Sequence, residues 1–131
     1  MTREDYERYV AAFNARDYDA VFDFYAEKPR MAFFGIEIAT RDQLKAFYSF
    51  LHAYVTETVT IEKFAGSDDL AAVEGIIRIE AFRDLTREDL DANGMAQFFP
   101  IAKGEVQEMR QYIHYHLENG KIAAVGCAVV P

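Results

Sequence analysis

Tryptophan is missing from this 131-residue chain, cysteine occurs once and proline three times. One cysteine, Cys127, excludes an internal disulfide, and a reducing compartment is the natural setting for such a chain. Basic residues are outnumbered, 14 Lys and Arg against 22 Asp and Glu, for a net charge of -8. That balance argues against nucleic acid or an anionic membrane as partner, because both select a basic face. No stretch approaches the roughly 20 apolar residues of a membrane-spanning helix. The opening MTREDYERYV is charged and amphipathic, without an apolar secretory core, so the expected location is the cytoplasm. What the chain has is apolar mass: 51% of its residues are hydrophobic and 15% aromatic. That is enough for one domain around one core, over residues 1–131.

The periodicity changes along the chain. Thr2 with Asp5 makes a capping box, and Tyr6, Val10 and Phe13 follow at helical spacing. Asp17 caps a second expected helix carrying Tyr18, Val21, Phe22 and Tyr25, which Pro29 is expected to stop. Short strands are expected at Arg30 to Phe34 and Ile36 to Ala39, turning at Gly35. Thr40 and Gln43 cap a third helix with Leu44, Phe47, Tyr48 and Leu51 on its buried stripe. After it the period becomes two. "TETVTIEKF" (56–64), Leu70 to Phe82, Val106 to Leu117 and Lys121 to Val130 read as strands, the last two joined by the hairpin dipeptide Asn119-Gly120. Residues 84–104 are too long for a plain turn and are a candidate lid. Helices segregated from antiparallel strands predict an α+β fold, a curved antiparallel sheet wrapped around helices with an internal pocket.

The element order and the run "YVAAFNARD" (9–17) resemble the nuclear transport factor 2-like superfamily, whose fold is a cystatin-like cone and which includes the SnoaL-like cyclases. The nearest likeness is to the ketosteroid isomerases, in "YVAAFNARD", in "TRDQLKAFY" (40–48) and in "YHLENGKI" (115–122). By that resemblance Tyr9 is a hydrogen-bond donor to an enolate oxygen; the alternative is a core tyrosine whose hydroxyl meets a neighbour. The two acids of the isomerases are not matched. The base position falls between Met31 and Phe34, in "MAFF", and the second acid falls near Ile113. A true ketosteroid isomerase is therefore not expected. Glu37 and Glu80 are the carboxylates considered as stand-ins.

Arg78 and Glu80 share one strand face, and an Arg-x-acid pair of this kind resembles the limonene epoxide hydrolases, whose further Asp aligns with Cys127. The pair is either acid–base machinery or a salt bridge on the solvent or dimer face. His114 and His116 also share a face, opposite Ile113, Tyr115 and Leu117, but no third ligand accompanies them and no metal site is expected. His52 is either a pocket residue or exposed, and Cys127 reads as a small buried hydrophobe. The expected catalytic set is Tyr9, Arg78 and Glu80, with Phe13, Phe33, Phe34, Phe98, Phe99, Ile113, Tyr115 and Cys127 against the substrate. The expected function is acid–base chemistry on an apolar, ring-containing small molecule, without a cofactor, in a homodimer formed through the outer sheet face. The alternative is a binding or assembly module of the same fold with no catalysis.

Overall fold

The computed structural model describes residues 1–33 and 35–131; Phe34, an expected pocket residue, lies outside them. Ten elements follow one another: α1 (Arg3–Asn14), α2 (Tyr18–Phe22), β1 (Tyr25–Phe33), β2 (Ile36–Ile38), α3 (Arg41–Leu51), β3 (Val55–Gly66), β4 (Leu70–Ala81), α4 (Arg87–Ala92), β5 (Val106–Glu118) and β6 (Lys121–Val130). The strands form one curved, unclosed sheet in the order β2-β1-β6-β5-β4-β3. Its pairings are antiparallel except that between β1 and β6, which is parallel. Register shifts interrupt β1 against β6, β3 against β4 and β5 against β6. Such irregularities bend a strand and increase its twist, so long strands can curl around the helices.

Local chemistry sets the helix starts. Thr2 and Asp5 form the reciprocal capping box that opens α1. Thr40 accepts from the Gln43 amide at the head of α3, while Gln43 accepts from Ala39, one residue earlier than in a symmetric box. The β5–β6 hairpin turns at Asn119 and Gly120, both with positive φ, which two-residue turns of this hand require.

The second helix is shorter than its apolar spacing predicts. It ends at Phe22, and Tyr25 to Lys28 already belong to β1. Pairing decides the matter: Ile122 donates to the Phe24 carbonyl, and Tyr25 lies in register with Ile122. Pro29 therefore stops no helix. It sits buried in the register shift between Tyr25 and Arg30, where its missing N–H breaks no ladder.

Residues 84–104 are also more ordered than their polar composition suggests. Thr86 and Asp89 form another capping box for α4, Leu85 bridges to Ile101, and Arg87 donates to the carbonyls of Ala96 and Phe98. Leu85, Leu90, Met95, Phe98 and Ile101 are buried together. At the other end of this segment Gln97 lies over the β1–β2 turn. Gly35 has φ +78°, a left-handed conformation that favours glycine, and the end of the Gln97 side chain lies against it. The segment is a packed end wall of the cone. Leu90, fully buried on α4, provides its test: Leu90→Ala should lower stability by about 2–5 kcal/mol in denaturant titration. A segment that merely flaps would lose almost nothing.

Candidate functional site

Side chains on successive strand residues alternate between the two faces of a sheet, so the concave face of this sheet draws on every second position. Glu57 and Val59 of β3, Ile77 and Ile79 of β4, Met109 to Tyr115 at odd numbers in β5, and Val125, Cys127 and Val129 of β6 face the helices. The helices return Tyr9 and Phe13 from α1 and Phe47, Tyr48 and Leu51 from α3, and Phe98 closes one side. They do not fill the cone. A cavity of about 230 Å³ remains, mostly apolar, with Tyr25, Ala32 and Phe33 of β1 along its wall. An apolar cavity of about 150 Å³ accepts benzene, so this one has room for one or two fused rings.

Two tyrosine pairs lie at the cavity's helical side. The hydroxyls of Tyr9 and Tyr25 are 2.7 Å apart, and those of Tyr6 and Tyr115 are 2.9 Å apart. Either oxygen of a pair can be the donor; Tyr9 and Tyr25 both line the cavity, so whichever of them accepts keeps its own proton for a ligand, whereas Tyr6 is fully buried away from it. Tyr48 differs. It is 8% exposed, lines the cavity, and its hydroxyl has no hydrogen-bond partner among the described residues. Tyr9 combines both readings of its motif: it is buried, hydrogen-bonded to Tyr25, and also against the cavity.

Among the described residues one carboxylate reaches the cavity, that of Glu57. Its Oε1 lies 2.9 Å from Nε2 of His52, whose Nδ1 lies 2.7 Å from the Tyr18 hydroxyl. His52 is 4% exposed and stacks between the rings of Tyr18 and Tyr48, with Phe13 edge-on. Behind it, the Arg16 guanidinium donates to the carbonyls of His52 and Val55, clamping the turn between α3 and β3. Sequence reasoning passed over Glu57, yet a signal existed. Val55, Glu57, Val59 and Ile61 share the inner face of β3, and Glu57 breaks an otherwise apolar alternation. His52 follows Tyr48 by one helical turn, the spacing that stacks side chains on one face.

Arg78 and Glu80 are not brought to this cavity. They pair with each other at 2.9 Å on the convex face, about half exposed, and Arg78 lies 3.9 Å from Glu108. The correction follows from strand alternation: Ile77, Ile79 and Ala81 take the inner positions, which sends 78 and 80 outward. Phe99 is also corrected. It stacks on Phe98, with ring centroids 4.4 Å apart, and does not line the cavity. Cys127 does line it, but at the exposed rim rather than buried; its apolar surroundings push the thiol pKa up. Phe13, Phe33, Phe98, Ile113 and Tyr115 all contribute to the wall. Ala32, Phe33 and Ile113 leave the two expected acid positions apolar, and Glu37 is exposed on β2. His114 and His116 point outward, and no cluster of three or more metal-ligating side chains exists among the described residues.

Burial raises the pKa of Tyr6, to about 12, and those of Tyr9, Tyr25, Tyr48 and Tyr115 as well. These phenols are therefore neutral donors at any ordinary pH. The unfolded chain ionises its tyrosines near pH ~10, whereas the fold resists ionising these five. Their contribution to stability is intact below that pH and is lost as pH rises toward their folded values. Tyrosinate absorbance from these five should thus appear only together with loss of the helical circular dichroism signal. Their ionisation in a still-folded protein would contradict the burial.

Comparison with known proteins agrees with this architecture. No curated protein matches the sequence. The chain superposes on a candidate polyketide cyclase from Pseudomonas putida KT2440 with a TM-score of 0.75 at 20% identity, covering 93% of this chain and 86% of that one. It is similar to IdmH, a candidate polyketide cyclase from Streptomyces antibioticus, with a TM-score of 0.70 at 15% identity over 96% of this chain and 89% of the other. A protein of ketosteroid isomerase-like fold from Catenulispora acidiphila DSM 44928, solved with trimethylamine, gives 0.71 at 14% identity, covering 98% and 86%. These likenesses concern the fold. A family model for the SnoaL-like domain matches residues 6–125, nearly the whole chain, and the protein belongs to that family.

Proposed function

We propose that this SnoaL-like protein is an enzyme that moves a proton on a small, apolar, one- or two-ring compound bearing a carbonyl oxygen. The observation that carries this reading is that a phenol without a hydrogen-bond partner, Tyr48, and one carboxylate, Glu57, among the described residues line one apolar cavity. The substrate oxygen accepts from Tyr48, helped by the free proton of the Tyr9–Tyr25 pair. Glu57 takes the proton α to the carbonyl on its second oxygen, leaving an enolate whose charge those phenols stabilise. The same carboxylic acid returns the proton at another carbon, or at a leaving hydroxyl. This covers isomerase, cyclase and dehydratase outcomes and uses side chains alone, so it calls for no cofactor. Arg78 and Glu80 carry no part of it, which weakens the epoxide-hydrolase branch.

Hydrogen–deuterium exchange α to the carbonyl tests the reading with any ketone that binds. One- and two-ring ketones that raise the melting temperature would be incubated in D2O and followed by proton NMR. Glu57→Gln should slow catalysed exchange by ~10²–10⁴-fold. Tyr48→Phe should weaken ligand binding about tenfold. Exchange no faster than in buffer, for every ketone that binds, would leave only the alternative, a binding module.

The positions matching the isomerase acids are apolar here, Ala32, Phe33 and Ile113. Assays for conjugated ketone formation from ketosteroids should show no enzymatic turnover.

The reading includes a homodimer through the convex face. That face carries small residues, Ala72, Ala124, Gly126 and Ala128, beside Tyr112, which is 45% exposed. Light scattering at micromolar concentration should give a dimer, and Tyr112→Glu a monomer; a monomeric wild type refutes this part alone.

A further inference from the structure

Glu57 faces the cavity, but the atoms behind it lead the other way. Its Oε1 meets Nε2 of His52 at 2.9 Å, and Nδ1 on the opposite edge of that ring meets the Tyr18 hydroxyl at 2.7 Å. His52 is shielded at 4% exposure, whereas Tyr18 on α2 is only half-buried. Three groups thus form one unbroken hydrogen-bonded line from the cavity wall to the protein surface. A structural reason for the line is weak. A histidine needed only for packing could meet a backbone carbonyl, and here both ring nitrogens are spent on ionisable side chains. Of the remaining neighbours, Phe13 of α1 and Tyr48 of α3 contact the ring by stacking or edge, and the Arg16 guanidinium holds the His52 carbonyl, away from the ring nitrogens. The Tyr48 carbonyl also accepts from the Tyr18 hydroxyl, but at 3.4 Å against 2.7 Å to Nδ1, so Nδ1 is the nearer partner.

We propose that Tyr18 and His52 are a proton path between solvent and Glu57, with His52 as a positioning residue that switches tautomer as it passes the proton. The inference rests on the reading of Glu57 as the acid–base group of the cavity. At rest, the Tyr18 O–H donates to Nδ1, and Nε2–H donates to the Glu57 carboxylate. To load Glu57, a solvent hydronium gives a proton to the Tyr18 oxygen and leaves as water, while the Tyr18 proton moves to Nδ1 and the Nε2 proton moves to Oε1. Glu57 is then a carboxylic acid donating to Nε2, and Nδ1–H donates to Tyr18. One proton has entered, no group other than Glu57 has changed charge, and the reverse sequence releases it. From the resting tautomer the path delivers a proton to Glu57, and from the tautomer it leaves behind it carries one away, so Glu57 can exchange a proton with solvent while a ligand occupies the cavity.

The test uses unliganded protein labelled with nitrogen-15 histidine. The chain has three histidines, and the exposed His114 and His116 are replaced by Gln, leaving His52 alone in the spectrum. The ring nitrogen shifts should show Nε2 protonated and Nδ1 bare at neutral pH. Tyr18→Phe keeps the stacked ring and removes the hydroxyl, and it should slow solvent exchange of the His52 Nε2–H about tenfold. Tyr112→Phe, exposed on the convex face, should leave the rate unchanged. A resting Nδ1–H tautomer, or an exchange rate that Tyr18→Phe leaves the same or raises, overturns the path. Because no ligand is involved, failure here leaves the Glu57 role standing. Conversely, a catalytically silent Glu57→Gln would leave the exchange result intact and remove only its purpose.

Discussion

A strongly curved sheet has more inner surface than three short helices can cover, and this constraint governs the molecule. Each strand must present apolar residues inward at every second position, and those residues must find partners. Toward the start of β6 they do: Tyr6, Val21, Tyr25 and Ile122 are essentially fully buried. Toward the other end the helices fall short, and Met109, Gln111, Cys127 and Val129 are left around an opening. The packed segment 84–104, with Phe98 turned inward, closes part of that gap. The cavity is what the curvature leaves over.

Within such a cavity a polar group is expensive unless it is held, and the cost separates structure from function. Four of the buried tyrosines satisfy one another in pairs, which stabilises the junction of α1 with β1 and β5. Glu57 and Tyr48 do not follow that pattern. Glu57 spends one oxygen on His52, and Tyr48 spends nothing on the described residues. Groups whose hydrogen-bonding capacity is left open toward the cavity, beside a core in which every buried side-chain polar atom among the described residues has a partner, are where a ligand adds the most.

Much of the architecture was legible in the sequence because it rests on local rules. The capping pairs Thr2–Asp5 and Thr40–Gln43, the Asn119-Gly120 turn and the period-two runs of β3 to β6 all appear as expected. The failures were tertiary. Tyr25 to Lys28 read as helix but belong to β1, where Tyr25 lies in register with Ile122 of β6, and α4 hid inside a polar stretch although Thr86 and Asp89 repeat the spacing of Thr2 and Asp5. Site residues followed the same division. The inward parity of Ile113 and Tyr115 came from the family likeness, whereas Arg78 and Glu80 required knowing which parity of β4 faces inward. Glu57 was masked because a glutamate in a Thr-rich strand looks like solvent-facing polarity. Only the pairing with β4, which puts it opposite Ile79, turns it inward.

The most direct measurement of the central claim is a crystal structure with a bound one-ring ketone found by thermal shift. The account predicts the ketone oxygen within about 2.6–3.2 Å of the Tyr48 hydroxyl and the α-carbon facing the free oxygen of Glu57. A ketone seated with its oxygen toward the open rim and its α-carbon away from Glu57, or one bound outside the cone, would contradict it.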